Sequence, residues 1–268
     1  MPRVVALYRY PVKGFTPEPC EALTVLDEGR IAGDRVLGVR FAGSPVPDHA
    51  WSSKYQFVAL VNTPGLARLN VSFDHRALRL KMSFEGTVLV DAALDAAGRS
   101  QISAAVADFA LKLDDNPLAL HPDRLPLRVV GDGITPRYQD NEAGQVTLHS
   151  RETLAAVAAA AGNAGLSERR FRSNIVIEGL TAWEEQTWVG KKIRIGAVAF
   201  DVVKPKVRCL ATHANPETGE RDVPLLATLT RAFAQEQPTF AVAMVTSGRG
   251  GEVRVGDEAR VIELPASR

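Results

Sequence analysis

Seven glycines, Gly14, Gly29, Gly33, Gly38, Gly43, Gly65 and Gly86, break the first ninety residues into short pieces at fairly even spacing. Glycine permits the tight turns that other residues resist, so the segments between these points must be brief. Most carry β-branched or aromatic residues. Val4–Tyr8, Ala22–Val25, Val36–Phe41, Phe57–Val61, Ala77–Met82 and Val88–Val90 therefore read as strands. Many short strands with such breaks favour a barrel or sandwich over a parallel, doubly wound sheet. One helix is expected at Ile102–Leu111, with Ile102, Ala105, Val106, Phe109 and Ala110 on its apolar side.

A connection rich in Asp and Pro, Asp114–Pro126, separates this half from the next. Thr147–His149 is expected as a short strand, and Ser150 is placed to cap a helix over Arg151–Ala161 that Gly162 ends. Strands follow at Asn174–Ile177, Lys192–Ile195 and Val198–Val203. Leu225–Ala234 reads as a helix, and Phe240–Val245, Glu252–Val255 and Ala259–Leu264 as closing strands. The fold class is mostly β with some α, in two connected halves.

Charge narrows the function. The 32 Lys and Arg residues balance 31 Asp and Glu, leaving +1, so neither a nucleic acid polymer nor a membrane surface is an expected partner. The opening apolar run stops at Tyr8-Arg9, short of the roughly 7–15 residues of a secretory core. A cytoplasmic protein with reduced thiols is expected. Its two cysteines, Cys20 and Cys209, can form neither a disulfide framework nor a four-thiolate cluster.

Cys20 has no basic neighbours, whereas Lys204, Lys206 and Arg208 crowd the five residues before Cys209. A packed, inert thiol is the commoner fate of a lone cysteine. Nearby cations nevertheless favour the thiolate, which is the form that attacks or binds metal. Arg169-Arg170-Phe171-Arg172 before Ser173-Asn174 is either a solvated basic corner or an anion clamp built on planar guanidinium donors. Tyr10-Pro11-Val12-Lys13-Gly14 and Gly33-Asp34-Arg35 are strand-ending turns that could each present a cation.

In combination and order, these segments resemble the MOSC family. Carrying the resemblance are Tyr10-Pro11-Val12-Lys13, Gly33-Asp34-Arg35, Phe171 to Ile177, Lys204 to Cys209, Asn215-Pro216-Glu217-Thr218-Gly219 and Val255-Gly256-Asp257. Within the family the chain is similar to the amidoxime-reducing component and to bacterial hydroxylaminopurine-reducing proteins. The resemblance implies an N-terminal β-barrel-like domain, residues 1–120, packed on a MOSC β-barrel domain, residues 121–268. It also implies a molybdenum cofactor (Mo-molybdopterin), with Cys209 as the catalytic residue and metal ligand. Lys13, Arg172, Asn174 and Arg208 would hold the pterin and its phosphate, and Ser53 and Lys54 stand where relatives carry a further contact segment. Pyridoxal phosphate is not expected.

Two departures matter: Lys206 replaces a cysteine common in relatives, and no 2Fe–2S ferredoxin domain follows, so a separate electron-donor protein (ferredoxin, flavoprotein or cytochrome type) is expected. The implied activity is reduction of a small N-hydroxylated substrate by oxygen-atom removal at molybdenum. The alternatives are a non-catalytic molybdenum cofactor carrier, a sulfur-transfer protein using Cys209, and a β-rich binding protein in which Cys209 is merely packed. His213, four residues beyond Cys209, could deliver protons or lie satisfied at the surface.

Overall fold

A bulge between Val4 and Ala6 breaks strict alternation in the first strand. In β1 (Arg3–Arg9), Val4 and Leu7 face inward, and the strand pairs antiparallel with β2 (Glu18–Cys20). The computed structural model, which describes residues 1–262, continues through β3 (Ala22–Val25) and β4 (Gly38–Arg40). A three-stranded meander follows, β5 (Asn70–Asp74), β6 (Arg79–Phe84) and β7 (Thr87–Ala93). Helix α1 (Ala96–Leu111) leads to β8 (Arg128–Val130), which pairs with β4. These pieces enclose one apolar core that includes Phe15, Leu37, Val71, Leu80, Ile102 and Val106.

The remaining strands, β14 apart, build the main sheet. They are β9 (Val146–Ser150), β10 (Ile175–Glu178), β11 (Lys192–Ile195), β12 (Val198–Val207), β13 (Thr239–Thr246), β14 (Gly251–Arg254) and β15 (Ala259–Ile262). Helix α2 (Arg151–Ala160) carries the chain between the parallel neighbours β9 and β10, and α3 (Leu225–Ala232) precedes β13. The order is β15-β11-β12-β13-β9-β10-β1-β2, so the first strand of the chain sits inside the sheet of its second half. The sheet also curls back on itself. Arg3 bridges Glu258, and Val4 and Gly256 exchange backbone bonds with Asp257 and Val4 just ahead of β15. Strand β14 pairs with β3 over the same interior, which Leu7, Ile175, Phe200, Val242 and Val253 fill. No helix among the described residues is long and apolar enough to cross a membrane.

The mostly β class with a few helices is therefore observed. Three local expectations are corrected. Phe57–Val61 is a buried irregular segment: it makes single bonds to Val39 and Gly14, and the Asn62 side chain then turns it by accepting from Ala59 and donating to Phe57. Its apolar character reflects burial, not a ladder. Strand β12 runs to Val207, past Pro205, because bulges flank that proline and relieve the missing donor. The Lys204–Lys206 run thus lies on a strand and not beyond one. Helix α1 begins six residues before Ile102, where Asp95 Oδ1 accepts from the Gly98 amide at 2.7 Å. Strands β2, β5 and β8 were not expected. Residues 263–264 of the expected last strand lie outside the described residues.

Gly98 weakens the helix pattern in the sequence, yet its place is fixed by space. A Cβ there would stand 1.9 Å from the Ala93 carbonyl oxygen. Gly98→Ala should therefore cost about 2–3 kcal/mol in urea unfolding, whereas Gly43→Ala, with nothing within 4 Å, should stay within about 0.5 kcal/mol.

Candidate functional site

The main sheet and the N-terminal core meet at a cleft of about 300 Å³, lined by residues from both halves. Five of the expected site residues line it: Lys13, Lys54, Arg172, Arg208 and Cys209. Arg35, Arg170 and Lys206 join them, giving seven cations against a single carboxylate, that of Asp140. Because β1 lies beside β10, the turn that follows β1 and carries Lys13 is brought next to the segment that enters β10 at Arg172. Strand β12 delivers Lys206, and the extended residues beyond it deliver Arg208 and Cys209.

Five of the seven cations, Lys13, Arg35, Arg170, Arg172 and Arg208, are bonded to the framework. The Lys13 ammonium, 2% exposed, donates to the Tyr138 carbonyl at 2.8 Å, the Gln139 carbonyl at 3.3 Å and the Asp140 carboxylate at 3.0 Å. All three of its protons are thus committed, and it straps the 138–140 segment to the first strand's turn. Gly14 beside it has φ +78° and no room for a Cβ, which would lie 2.3 Å from that of Ala59. Arg172 donates to the Phe15 carbonyl and Arg208 to the Phe171 carbonyl, so neither guanidinium bonds a carboxylate. Arg170 forms a two-pronged pair with Asp222, at 2.7 and 2.9 Å, and donates to the His213 carbonyl at 2.8 Å. It thereby anchors the turn that follows Cys209.

The electrostatics follow from crowding. Burial, with repulsion from Arg35, lowers the Arg172 pKa to about 10. Burial also lowers Lys206 to about 8, with Arg208 adding to the effect against Asp140. Asp140 is half exposed, and Lys13, Arg35 and Lys206 outweigh its partial burial, holding its carboxyl well below the usual carboxylate range. Burial pulls Lys54 down, but the adjacent Cys209 sulfur more than offsets this and leaves the ammonium raised. Lys54 and Cys209 are therefore neighbours in the lining of the cleft.

Two expected residues lie elsewhere. Ser53 is exposed and does not line the cleft; its hydroxyl accepts from the Tyr55 amide at 3.5 Å and caps the turn that aims Lys54. Asn174 is 1% exposed and sits behind the wall. Its amide donates to the Tyr8 carbonyl at 3.1 Å and to Asp34 at 3.3 Å, while its oxygen faces the Thr147 amide and hydroxyl. His213 Nε2 accepts from the Leu226 amide at 3.2 Å, in the first turn of α3, which commits that nitrogen to the helix end. Arg35 and Asp140 line the cleft in addition to the expected residues. Gly33-Asp34-Arg35 carried a weak signal, whereas a lone Asp in a polar loop carries none.

The walls contain unspent hydrogen-bonding capacity. Gln139 Oε1, Gln145 Oε1, Arg170 Nε and Arg208 Nε are buried at the cleft without partners, a state that costs free energy unless a ligand or water meets them. Cys209 is the cleft's one sulfur donor, and no cluster of three or more His, Cys, Asp or Glu suited to a metal ion occurs among the described residues. The donor set fits an anionic ligand that brings most of a metal's coordination with it and accepts one thiolate from the protein.

The family model for the MOSC domain matches residues 135–260. A human protein, mitochondrial amidoxime reducing component 2, is 31% identical over 110 residues, 41% of this chain and 26% of its own length. The molybdenum cofactor sulfurase of Caenorhabditis briggsae is 38% identical over 73 residues, 27% of this chain and 10% of its own length. The matches thus span only a small part of these relatives. The solved YuaD protein of Bacillus subtilis superposes over 97% of this chain and 96% of its own, with a TM-score of 0.43 and 12% identity.

His149, 1% exposed on β9 beneath the cleft, packs on Phe240 at 5.0 Å between ring centres, and neither ring nitrogen has a partner. Burial, with Arg208 and Arg151, lowers its pKa to about 3. The unfolded chain takes up a proton at this position below about pH 6.5, while the folded chain resists until about pH 3. His149 should therefore make stability fall as pH drops through that window, by up to about 1.4 kcal/mol per pH unit. Urea midpoints measured from pH 7 to pH 4 should show a steeper acid loss in wild type than in His149→Phe.

Proposed function

We propose that this chain, whose residues 135–260 match the MOSC domain model, is a molybdenum-cofactor-dependent reductase of small N-hydroxylated compounds. The observation that carries the reading is one thiol, Cys209, set in a cleft of seven cations where two guanidiniums make no bond to a carboxylate. A pterin dithiolene with a phosphate is an anion of the size and sign this cleft favours. The similarity to a protein named for amidoxime reduction supports the reductive chemistry.

When bound, such a cofactor supplies two-electron oxygen-atom transfer; the protein supplies binding and orientation. Cys209 would ligate the metal, and Lys54 beside it would stabilise the thiolate's charge. Arg172, Arg208 and Arg35 would hold the phosphate and pterin end, with Lys13 exchanging Asp140 for the ligand. Asn174 and Ser53 act from behind, holding the walls and the Lys54 turn. The overall conversion takes an N–OH group, two electrons and two protons to N–H and water. A separate donor protein delivers the electrons. The similarity to molybdenum cofactor sulfurases supports a second reading, in which the same residues hold the cofactor, or a persulfide on Cys209, without turnover.

Protein purified from a host that makes the cofactor should carry near-stoichiometric molybdenum and pterin. Cys209→Ala should lose the metal, and Arg172→Gln and Arg208→Gln should each retain about tenfold less pterin. A folded wild-type protein with neither component overturns the reductase and the cofactor-holding form of the second reading, leaving only a persulfide on Cys209, which mass spectrometry would detect as added sulfur. Turnover of an N-hydroxylated base with a chemical reductant supports the reductase, whereas stoichiometric transfer to an acceptor apoprotein without turnover supports the carrier.

A further inference from the structure

One aromatic ring connects the two halves of the cation cluster. Tyr10 is fully buried, and its ring centre lies 4.6 Å from the Arg35 guanidinium carbon and 4.4 Å from that of Arg172. Both arginines adopt left-handed backbone, with φ of 51° and 55°. Non-glycine residues hold that conformation only where their surroundings enforce it. Tyr10 touches the enforcement at both points. Its carbonyl accepts from the Arg35 amide at 2.6 Å, and its hydroxyl donates to the Ser173 carbonyl at 3.2 Å, one residue past Arg172. Its own amide donates to Asp34 at 2.8 Å, the carboxylate that pairs with Arg35.

Two guanidiniums brought this close repel each other, and only Arg35 has a carboxylate partner. The negative face of an aromatic ring offsets part of that repulsion without adding a formal charge that would compete with a ligand. We infer that Tyr10 is a positioning residue whose ring holds Arg35 and Arg172 at a fixed separation, as the two jaws of a clamp for a phosphate group. This rests on the anion-binding part of the reading above. A phenol suits the task, since burial, chiefly, raises its pKa to about 12 and keeps the ring uncharged at neutral pH.

The test uses the full chain purified from a host that lacks the cofactor, with inorganic pyrophosphate titrated by calorimetry. Tyr10→Phe, which keeps the ring and loses the hydroxyl, should bind within about twofold of wild type. Tyr10→Met, which keeps apolar volume and loses the ring face, should bind about tenfold more weakly. On an Arg172→Gln background the same change should add less than about twofold, because the ring acts through the arginine. A purely packing role would leave the tenfold loss intact on that background and overturns the inference, as does wild-type affinity in Tyr10→Met or no binding by wild type. If Tyr10→Met does not fold, pentafluorophenylalanine at position 10 keeps the ring's shape while reversing its electrostatics. Affinity equal to that of Tyr10→Phe then overturns the clamp, and a loss of about tenfold supports it. Pyrophosphate binding by a chain that never carries molybdenum or pterin sinks the cofactor reading and leaves the clamp standing.

Discussion

Like charges in a confined space repel, and seven cations line this one cleft. At about 5 Å and an effective dielectric near 20, each pair of unit charges costs roughly 3 kcal/mol, so the arrangement persists only because other forces hold it. Backbone carbonyls of Phe15, Tyr138, Phe171 and His213 take the guanidinium and ammonium protons. Asp34, Asp140 and Asp222 neutralise Arg35, Lys13 and Arg170 respectively. Aromatic faces at Tyr10, Phe57 and Phe171 cover what remains. The depressed pKa values of Arg172 and Lys206 register the residual repulsion. An anion entering the cleft relieves it, which makes the framework's tension a source of affinity.

The framework depends in turn on the path of the chain. Lys13, Arg172 and Cys209 are far apart in sequence, yet β1, β10 and β12 are strands of one sheet, and its order brings their ends to the same cleft. The two-pronged pair of Arg170 with Asp222, Arg170's bond to the His213 carbonyl and the capping of α3 by His213 tie down the turn after Cys209. A rigid seat for the thiol follows from these bonds, since the segment itself is only a short turn.

Much of this is legible in the residues, and the exceptions have identifiable causes. Strands whose apolar residues alternate or run together, such as β1, β9 and β13, declare themselves. Asn70–Asp74 alternates exposed and buried residues, but its Asn and Asp termini resemble turn residues and mask the strand. Phe57–Val61 errs the other way, because burial in a loop and burial in a ladder select the same apolar residues. At the site, the cations near Cys209 are visible as a local run. Arg35 and Asp140 are not, since each draws its significance from partners more than a hundred residues away or across the sheet. Ser53 and Asn174 show the converse: residue type and position are right for a polar role, and only the geometry tells that they support the wall from outside it.

The pairing of residues 3–9 with residues 175–178 and 18–20 also sets a schedule for biosynthesis. Emerging from the ribosome, the first strand has its short neighbour at once, yet it waits more than 160 residues for β10. Until then Tyr10 and Lys13 have no Arg172 beside them, and the thiol arrives later still. Nothing resembling a finished anion pocket exists on the nascent chain, so any ligand of this cleft is captured after synthesis has passed Cys209. Such late closure of distant contacts is slow in folding terms, and it reserves the pocket for a chain in which β1, β10 and the Cys209 turn have all been made.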